Sequence, residues 1–209
     1  MRVVILVLSC QRPPYDALLA AQRRTWDSVS VEDVTTVYYF CDGMEEMTGR
    51  LREALRDLAA TLGWDFVFRT NASSYVDKAA LLDFSRGLPQ SGCYCGIDGD
   101  GFASGSGFFL SPDAAEMLAE DLPDVSAEAE DVVTGRLLVA RGVRVTPGAE
   151  RRDYWHDRFV GAFRGVEQDE EALRAAYHVR CKADGGNRAM DVLAMEDVHR
   201  IKLGRRETP

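Results

Sequence analysis

Short apolar runs alternate with amphipathic stretches over the first 145 residues of the chain. Val3–Leu8, Thr35–Phe40 and Trp64–Arg69 are rich in aliphatic, β-branched and aromatic residues, as buried strands usually are. Between them, Asp16–Trp26 and Glu45–Leu62 carry apolar residues at intervals of three or four, which predicts helices. Strands separated by helices predict a three-layer α/β/α fold with a mainly parallel central sheet.

The alternation continues along the chain. Asp77–Phe84 is predicted as a short helix and Phe102–Leu110 as a strand interrupted by glycines. Ser111-Pro112 then opens another helix, since serine is a preferred N-cap and proline fits the first helical position. Asp131–Arg141 is predicted as a helix and Val143–Thr146 as the strand that follows it. The pattern of strand and helix therefore extends to about residue 146.

The last sixty residues have a different pattern. Glu167–Tyr177 and Asp191–Ile201 read as helices, separated by the glycine-rich turn Asp184–Asn187. The chain has no internal repeat and no low-complexity linker. We therefore predict an α/β core over residues 1–149 and a helical C-terminal cap over residues 150–209 that completes the same domain.

Charge and composition argue against nucleic-acid binding, a membrane span and a disulfide or zinc framework. A formal net charge of -9 argues against nucleic acid, because phosphate backbones require a basic face. No stretch approaches the ~18 apolar residues of a membrane span, and the apolar run at the N-terminus is shorter than a signal core. The five cysteines lack disulfide spacing, and Cys93-Tyr94-Cys95 is too short for a zinc knuckle. A cytoplasmic protein with reduced thiols is expected, and its oligomeric state is not indicated.

Four motifs follow one another between residues 3 and 145: Gln22–Trp26, Met47–Arg50, Phe66–Asn71, and the pair formed by Ala103–Ser111 and Glu130–Val132. Their order and spacing resemble the β1,3-galactosyltransferase/Fringe group of inverting glycosyltransferases. That group has Arg-x-Thr-Trp, Leu-Thr-x-Lys, a strand running into an Asp triplet, a Ser-Gly-Gly-Gly-Tyr strand and Glu-Asp-Val. The resemblance implies a GT-A fold and transfer of a sugar from a nucleotide-diphospho-sugar, with UDP the expected carrier, to an acceptor hydroxyl with inversion.

The residues expected to bind the nucleotide-sugar donor lie near the ends of predicted strands. Open α/β sheets bind ligands at the carboxyl ends of their strands, where Ser9, Asp42 and Asn71 are predicted to lie. Arg23 and Arg69 offer guanidinium groups, whose charge and bidentate geometry suit a diphosphate. The alternative for each arginine is a solvated surface charge.

Glu130-Asp131 are the candidate catalytic residues. The resemblance implies that Asp131 is the general base that accepts the proton of the attacking hydroxyl, while Glu130 binds the acceptor or orients Asp131. Asp131 stands at the predicted start of a helix, where a carboxylate also serves as a simple N-cap. Both interpretations remain open from the sequence.

Two polar segments are candidates for acceptor binding. Gly105-Ser106-Gly107 would let a ligand approach the backbone closely, although glycines in a strand also mark a bulge. Asp98 and Asp100 lie in a short polar turn just before it, and they would line the acceptor pocket or bind a cation, or simply form a loop.

The chain departs from the family at the metal site. Where the group carries its Asp triplet, this chain has Asn71-Ala72-Ser73, and an amide with a hydroxyl is a poor substitute for carboxylates around Mn²⁺ or Mg²⁺. A divalent metal is therefore doubtful. Either the enzyme is metal-independent, with Asn71, Ser73 and the cations Arg69, His178, Arg180 and Lys182 holding the diphosphate, or the domain binds a sugar nucleotide or a glycan without catalysis.

Two further alternatives concern the same stretch. His178 is also compatible with an interior histidine, and His178–Lys182 with a surface strand whose ends are solvated. The expected partners are the nucleotide-sugar and a small-molecule or glycan acceptor.

Overall fold

The computed structural model of the chain describes residues 1–61, 63–156, 169–182 and 187–204. Its helices and strands, in chain order, are β1 (Val3–Cys10), α1 (Tyr15–Arg24), β2 (Val34–Cys41), α2 (Met47–Thr61), β3 (Phe66–Asn71), β4 (Ser74–Val76), α3 (Lys78–Ser85), β5 (Tyr94–Asp98), β6 (Ala103–Leu110), α4 (Pro112–Asp121), α5 (Glu130–Ala140), β7 (Arg152–Trp155), α6 (Glu170–Ala175), β8 (His178–Lys182) and α7 (Asp191–Lys202).

The chain folds into two compact units, each made of separate segments. The first unit contains Met1–Gln11, Glu32–Asn71 and Leu82–Ala149. The second contains Arg12–Val31, Ala72–Leu81 and Glu150–Pro209. The predicted boundary near residue 149 is thus one of several points at which the chain changes unit, and the single domain expected from the sequence stays a prediction.

A five-stranded sheet forms the centre of the first unit. Its strand order is β2-β1-β3-β6-β5. β1 is parallel to both β2 and β3, whereas β6 is antiparallel to β3 and to β5. The sheet is therefore mainly parallel with one reversed strand, which confirms the predicted arrangement. β1 is buried along its whole length, as expected for the central strand of a parallel sheet.

Side chains alternate between the two faces of this sheet. Phe68 and Phe109 are opposite each other in β3 and β6, and Phe84 of α3 packs 5.6 Å from Phe109, ring centre to ring centre. Arg69, the next residue along β3, points to the other face and contacts α5. Helices therefore cover both faces of the sheet, and the predicted three-layer architecture is confirmed.

The second unit is built around a three-stranded sheet with the order β4-β8-β7. β8 is antiparallel to β4 and parallel to β7. Helix α7 packs on this sheet, and its His199 Nδ1 lies 3.0 Å from the Tyr75 hydroxyl. Both helices predicted for the C-terminal region form, as α6 and α7, and the region also contributes the strands β7 and β8. Residues 183–186, most of the predicted glycine-rich turn, lie outside the described residues.

One predicted strand is wrong. Val143–Thr146 forms only a single parallel bridge, between Thr146 and Cys95 of β5. Pro147 and Gly148 follow at once, and Gly148 has a φ of 103°, so the backbone leaves the extended conformation. β5 itself was not predicted, because Tyr94–Asp98 is short and contains a glycine.

No helix in the described part of the chain is long and apolar enough to cross a membrane. All five cysteines are buried and free, and the sulfur atoms of Cys10 and Cys41 lie 3.5 Å apart on neighbouring strands.

Candidate functional site

Three polar residues meet at one edge of the large sheet. Parallel pairing aligns Leu8 with Asn71 and Cys10 with Cys41, so Ser9, Asp42 and Asn71 lie at the carboxyl ends of three adjacent strands. This is the placement predicted from the sequence, and donor binding at this edge stays a prediction. Asp42 is exposed, whereas Ser9 is buried.

An open groove of about 500 Å³ begins at Asp42 and follows α2. Both signs of charge line it, including Arg50, Asp57 and Asp124. Gly49 of the Met47–Arg50 motif also lines it, and a Cβ atom at this position would stand 2.3 Å from the carbonyl oxygen of Asp124. The glycine therefore permits close packing of α2 against this segment.

Arg69 is buried in the first unit, with 5% of its side chain exposed. Its guanidinium donates hydrogen bonds to the Glu130 carboxylate and to the Gly105 carbonyl, and it lies 5.6 Å from the ring centre of Phe108. The group was predicted to bind the donor diphosphate. Both of its terminal nitrogens already have partners inside the protein, and its contact with a donor diphosphate stays a prediction.

Glu130 is the buried partner of Arg69 and the first residue of α5. Its second oxygen lies 3.4 Å from the Thr134 hydroxyl, one turn later. Burial raises the pKa of Glu130, and the neighbouring Arg69 opposes that shift. The pair anchors the start of α5 to β3, and neither member is presented to solvent.

Asp131 is the second residue of α5 and is half-exposed. Its Oδ2 accepts a hydrogen bond from the Gly105 amide at 2.7 Å, and its Oδ1 one from the Val132 amide at 3.0 Å. Ala129 occupies the N-cap position, so the interpretation of Asp131 as the N-cap is wrong. The carboxylate is held by β6 and at the same time remains accessible.

Gly105 connects these residues through its backbone. Its carbonyl accepts hydrogen bonds from Arg69 and from the Asn71 amide group, the latter at 3.3 Å, and its N–H binds Asp131. A Cβ atom at this position would lie 3.0 Å from Asp131 Oδ2. The close approach that the glycine permits is thus to Asp131 of the same chain.

The other residues predicted to bind an acceptor have mixed surroundings. Ser106 is buried and its carbonyl accepts a hydrogen bond from the Thr70 hydroxyl at 2.7 Å, while Gly107 pairs with Thr70 in the sheet. Asp98, the last residue of β5, and Asp100, in the turn that follows, are exposed, and Asp98 Oδ1 accepts a hydrogen bond from the Gly101 amide at 3.0 Å. This contact is typical of a short polar turn, and acceptor binding by Asp98 and Asp100 stays a prediction.

The segment in place of the Asp triplet lies at one of the points where the chain passes from the first unit to the second, between Asn71 and Ala72. Asn71 donates to Gly105, Ala72 is buried, and the buried Ser73 hydroxyl accepts a hydrogen bond from Arg188 at 2.9 Å. These donors and acceptors do not suit Mn²⁺ or Mg²⁺, which prefer carboxylate oxygens. Within the described ranges, no group of three or more His, Cys, Asp and Glu residues is placed to hold a metal ion.

Gln22 and Trp26 of the Gln22–Trp26 motif hold the chain directly after that segment. The Ser74 carbonyl accepts hydrogen bonds from Gln22 Nε2 at 3.1 Å and from Trp26 Nε1 at 3.0 Å. Two residues of the family-like motif thus have a structural role. Arg23 lies on the exposed side of α1, and its predicted contact with a donor stays a prediction.

The basic residues of β8 have different surroundings from one another. His178 is buried with its Nε2 3.1 Å from the Ser74 hydroxyl, and burial lowers its pKa to about 3. It is therefore neutral at neutral pH and adds no positive charge, contrary to its predicted inclusion among the cations. Arg180 and Lys182 are partly exposed on the same strand. Arg188 was missed, because it lies outside every motif of the resemblance.

The fold is similar to that of a glycosyltransferase involved in the glycosylation of the major capsid of PBCV-1. The two structures agree with a TM-score of 0.58 and 13% identity, over 94% of this chain and 100% of that one. The galactosyltransferase LgtC, solved with donor and acceptor sugar analogues, gives a TM-score of 0.47 and 8% identity over 99% and 97% of the respective chains. No family model and no curated protein matches the sequence. The first similarity confirms the predicted α/β fold of the GT-A type.

Proposed function

We propose that this chain is a glycosyltransferase that moves a sugar from a nucleotide-diphospho-sugar, with UDP as carrier, to an acceptor hydroxyl with inversion. The observation that carries the proposal is the Asp131 carboxylate. It is accessible, it lies in the first turn of α5, and it is fixed by the Gly105 amide beside a buried ion pair. A fold shared with a known glycosyltransferase supports the same conclusion.

Asp131 acts as the general base in this proposal. Its carboxylate accepts the proton of the acceptor hydroxyl while that oxygen attacks the anomeric carbon. The bond between that carbon and the diphosphate oxygen breaks, and the nucleoside diphosphate leaves with the bonding electrons. A single displacement with one base and no protein nucleophile inverts the anomeric configuration.

Arg69 and Glu130 act as positioning residues. Their ion pair fixes the start of α5 against β3, and the same guanidinium holds the Gly105 carbonyl. Gly105 then presents its N–H to Asp131. This arrangement keeps the base at a set distance from the sheet edge, and precise placement of reacting groups contributes strongly to catalysis.

The donor diphosphate is held without a metal in this proposal. The amide and hydroxyl of Asn71 and Ser73 already bind Gly105 and Arg188, and neither is a carboxylate. Charge compensation for the leaving diphosphate therefore falls to protein cations.

A second candidate, binding of a sugar nucleotide or glycan without catalysis, is supported by that same substitution. The two candidates agree on ligand binding and differ on turnover. Release of nucleoside diphosphate that depends on Asp131 supports only the first.

A panel of nucleotide-sugars tests the proposal. Donor binding should raise the thermal unfolding midpoint, because a ligand that binds only the folded state stabilises it by mass action. Release of nucleoside diphosphate is then measured with simple sugars and glycans as acceptors, and the anomeric configuration of the product is assigned by NMR. A product that retains the donor configuration, or a panel that neither stabilises the protein nor reacts, would contradict the proposal.

A further inference from the structure

One face of the small sheet in the second unit is crowded with charge. Along β8, His178, Arg180 and Lys182 alternate and therefore point to the same face. Arg180 is directly opposite Ser74 on β4 and Asp153 on β7. Residues of the opposite face, such as Tyr75 and Tyr154, instead contact α7.

Cations outnumber carboxylates in this cluster. Its described cations are Arg151, Arg180, Lys182 and Arg188, and its described carboxylates are Asp153 and Asp191. Asp153 is shared by Lys182 and by Arg151, whose Nε lies 3.0 Å from it. Asp191 lies 3.4 Å from Arg188. The described members of the cluster are thus four cations and two carboxylates, in a chain whose net charge is -9.

Arg180 is the least satisfied of these cations. Its Nε is buried and has no hydrogen-bond partner among the residues that the structure describes. Burial and then the nearby Arg151 lower the pKa of Arg180, against the opposing effect of Asp153. Gathering like charges around a half-buried guanidinium is costly unless an anion joins them.

Ser73 extends the cluster to the segment that replaces the Asp triplet. Its hydroxyl binds Arg188, whose side chain is 40% exposed. A carboxylate at position 73 would add a negative charge beside Arg188, which already lies 3.4 Å from Asp191, whereas the serine hydroxyl adds none. The substitution that removes a metal ligand thus also leaves more cations than carboxylates among the described members of the cluster.

We infer that Arg180, Arg188 and the Ser73 hydroxyl, with Arg151 and Lys182 around them, bind a diphosphate group through protein cations alone. Guanidinium forks match phosphate oxygens in charge and in bidentate geometry. The inference rests on the proposed function only for the expectation that this diphosphate belongs to a nucleotide.

Titration calorimetry of the full chain with inorganic pyrophosphate, in excess chelator, tests the inference. Pyrophosphate should bind, and Arg188→Gln and Arg180→Gln should each weaken it roughly tenfold or more, as expected for lost charge-assisted hydrogen bonds. Ser73→Asp should weaken it at least as much, since it adds a competing carboxylate. Arg24→Gln is the matched control, because Arg24 is 48% exposed in the same unit and pairs with Glu196. Its affinity should equal that of the wild type.

Orthophosphate and UDP identify the anion. Binding of UDP and pyrophosphate that is much tighter than that of orthophosphate supports a diphosphate site. Circular dichroism checks that each variant is folded, and Arg188→Gln and Ser73→Asp carry the test if Arg180→Gln unfolds. Equal affinity of wild type and variants, or binding that appears only with Mn²⁺, overturns the inference.

The same titrations separate this inference from the proposed function. Pyrophosphate binding that depends on Arg180 and Arg188, in a protein that turns over no nucleotide-sugar, supports the site and contradicts the enzyme. Turnover that is unchanged in Arg180→Gln and Arg188→Gln contradicts the diphosphate site and supports the proposed enzyme activity.

Discussion

Both units place arginines beside carboxylates on a sheet, but they differ in how the charge of those arginines is compensated. In the first unit, Arg69 is buried against one carboxylate and one carbonyl, so its charge is balanced inside the protein. In the second unit, Arg180 is half-buried near Arg151 and Arg188, and among the residues that the structure describes no carboxylate forms an ion pair with it.

This difference separates a structural cation from a binding one. A buried charge must be paired, and once paired it stabilises a conformation and has little left for a ligand. A partly exposed cluster with excess charge gains most from an added anion. Both arginines were expected to bind the donor. Their surroundings support the proposed roles, positioning of Asp131 for Arg69 and diphosphate binding for Arg180.

The largest expected effect belongs to the accessible carboxylate of the first unit. Asp131→Asn should lower the rate of sugar transfer by ~10²–10⁴-fold, the usual scale for a lost general base, while donor affinity is retained. Steady-state turnover and donor calorimetry measure the two quantities. Glu128→Gln is the control, since Glu128 is exposed just before α5 and pairs with Arg136. Near wild-type turnover of Asp131→Asn would remove Asp131 from the mechanism.

Removing the balanced arginine should cost stability. Arg69→Met leaves Glu130 buried without its cation and is expected to lower the free energy of unfolding by ~3–5 kcal/mol. Urea denaturation measures the loss. The double variant Arg69→Met/Glu130→Leu should recover much of it, because two apolar side chains leave no buried charge. A single variant within ~1 kcal/mol of wild type would show that Arg69 is not the structural cation of the comparison.

A substitution at Gly105 tests whether sugar transfer depends on the close approach of the Gly105 backbone to the Asp131 carboxylate. In Gly105→Ala the new Cβ would lie 3.0 Å from Asp131 Oδ2 and should displace the carboxylate. Transfer is expected to fall roughly 10- to 100-fold, as small displacements of catalytic groups often cause. Gly87→Ala is the control, since its nearest neighbour would be the Phe84 carbonyl at an ordinary 3.6 Å. Equal turnover of both variants would contradict the positioning role.

The smallest effect concerns the neutral histidine beside the cations of the second unit. Burial lowers the pKa of His178 to about 3, from 6.5 in the unfolded chain. Below pH 6.5 the unfolded state therefore takes up a proton that the folded state does not. Stability is fully present above pH 6.5 and falls as the pH decreases, by about 1.4 kcal/mol between pH 7.5 and 5.5. Denaturation at both pH values measures the loss, and His178→Gln should lack this part of it. Identical losses in wild type and variant would mean that His178 is protonated in the folded protein.

The arrangement of the sheet was largely available from the sequence. Long apolar runs such as Val3–Leu8 predict buried strands, and their separation by amphipathic helices predicts parallel pairing. The short strands were not predictable in the same way. Tyr94–Asp98 and Ser74–Val76 are too brief to show a period, and their pairing depends on partners far along the chain.

The site was predictable as a set of residues but not as a set of contacts. The resemblance named Glu130, Asp131 and Gly105, which the structure brings together. It did not indicate that Arg69 forms an ion pair with Glu130. In the sequence, an arginine near the end of a strand gives the same pattern whether it faces a carboxylate or solvent. Arg188 had no signal of its own, since its relation to Ser73 spans 115 positions of sequence.

The interleaving of the two units has a consequence for synthesis on the ribosome. All segments of the first unit have been made once Ala149 is translated, whereas the second unit still lacks Glu150–Pro209. Arg12–Val31 and Ala72–Leu81 are therefore synthesised early and must wait for partners such as β8, which pairs with β4. Chains generally fold from the N-terminus as they emerge. The first unit, with the Arg69–Glu130 pair and Asp131, is thus expected to form before the cation cluster, and a nascent chain halted near residue 150 would contain Asp131 without that cluster.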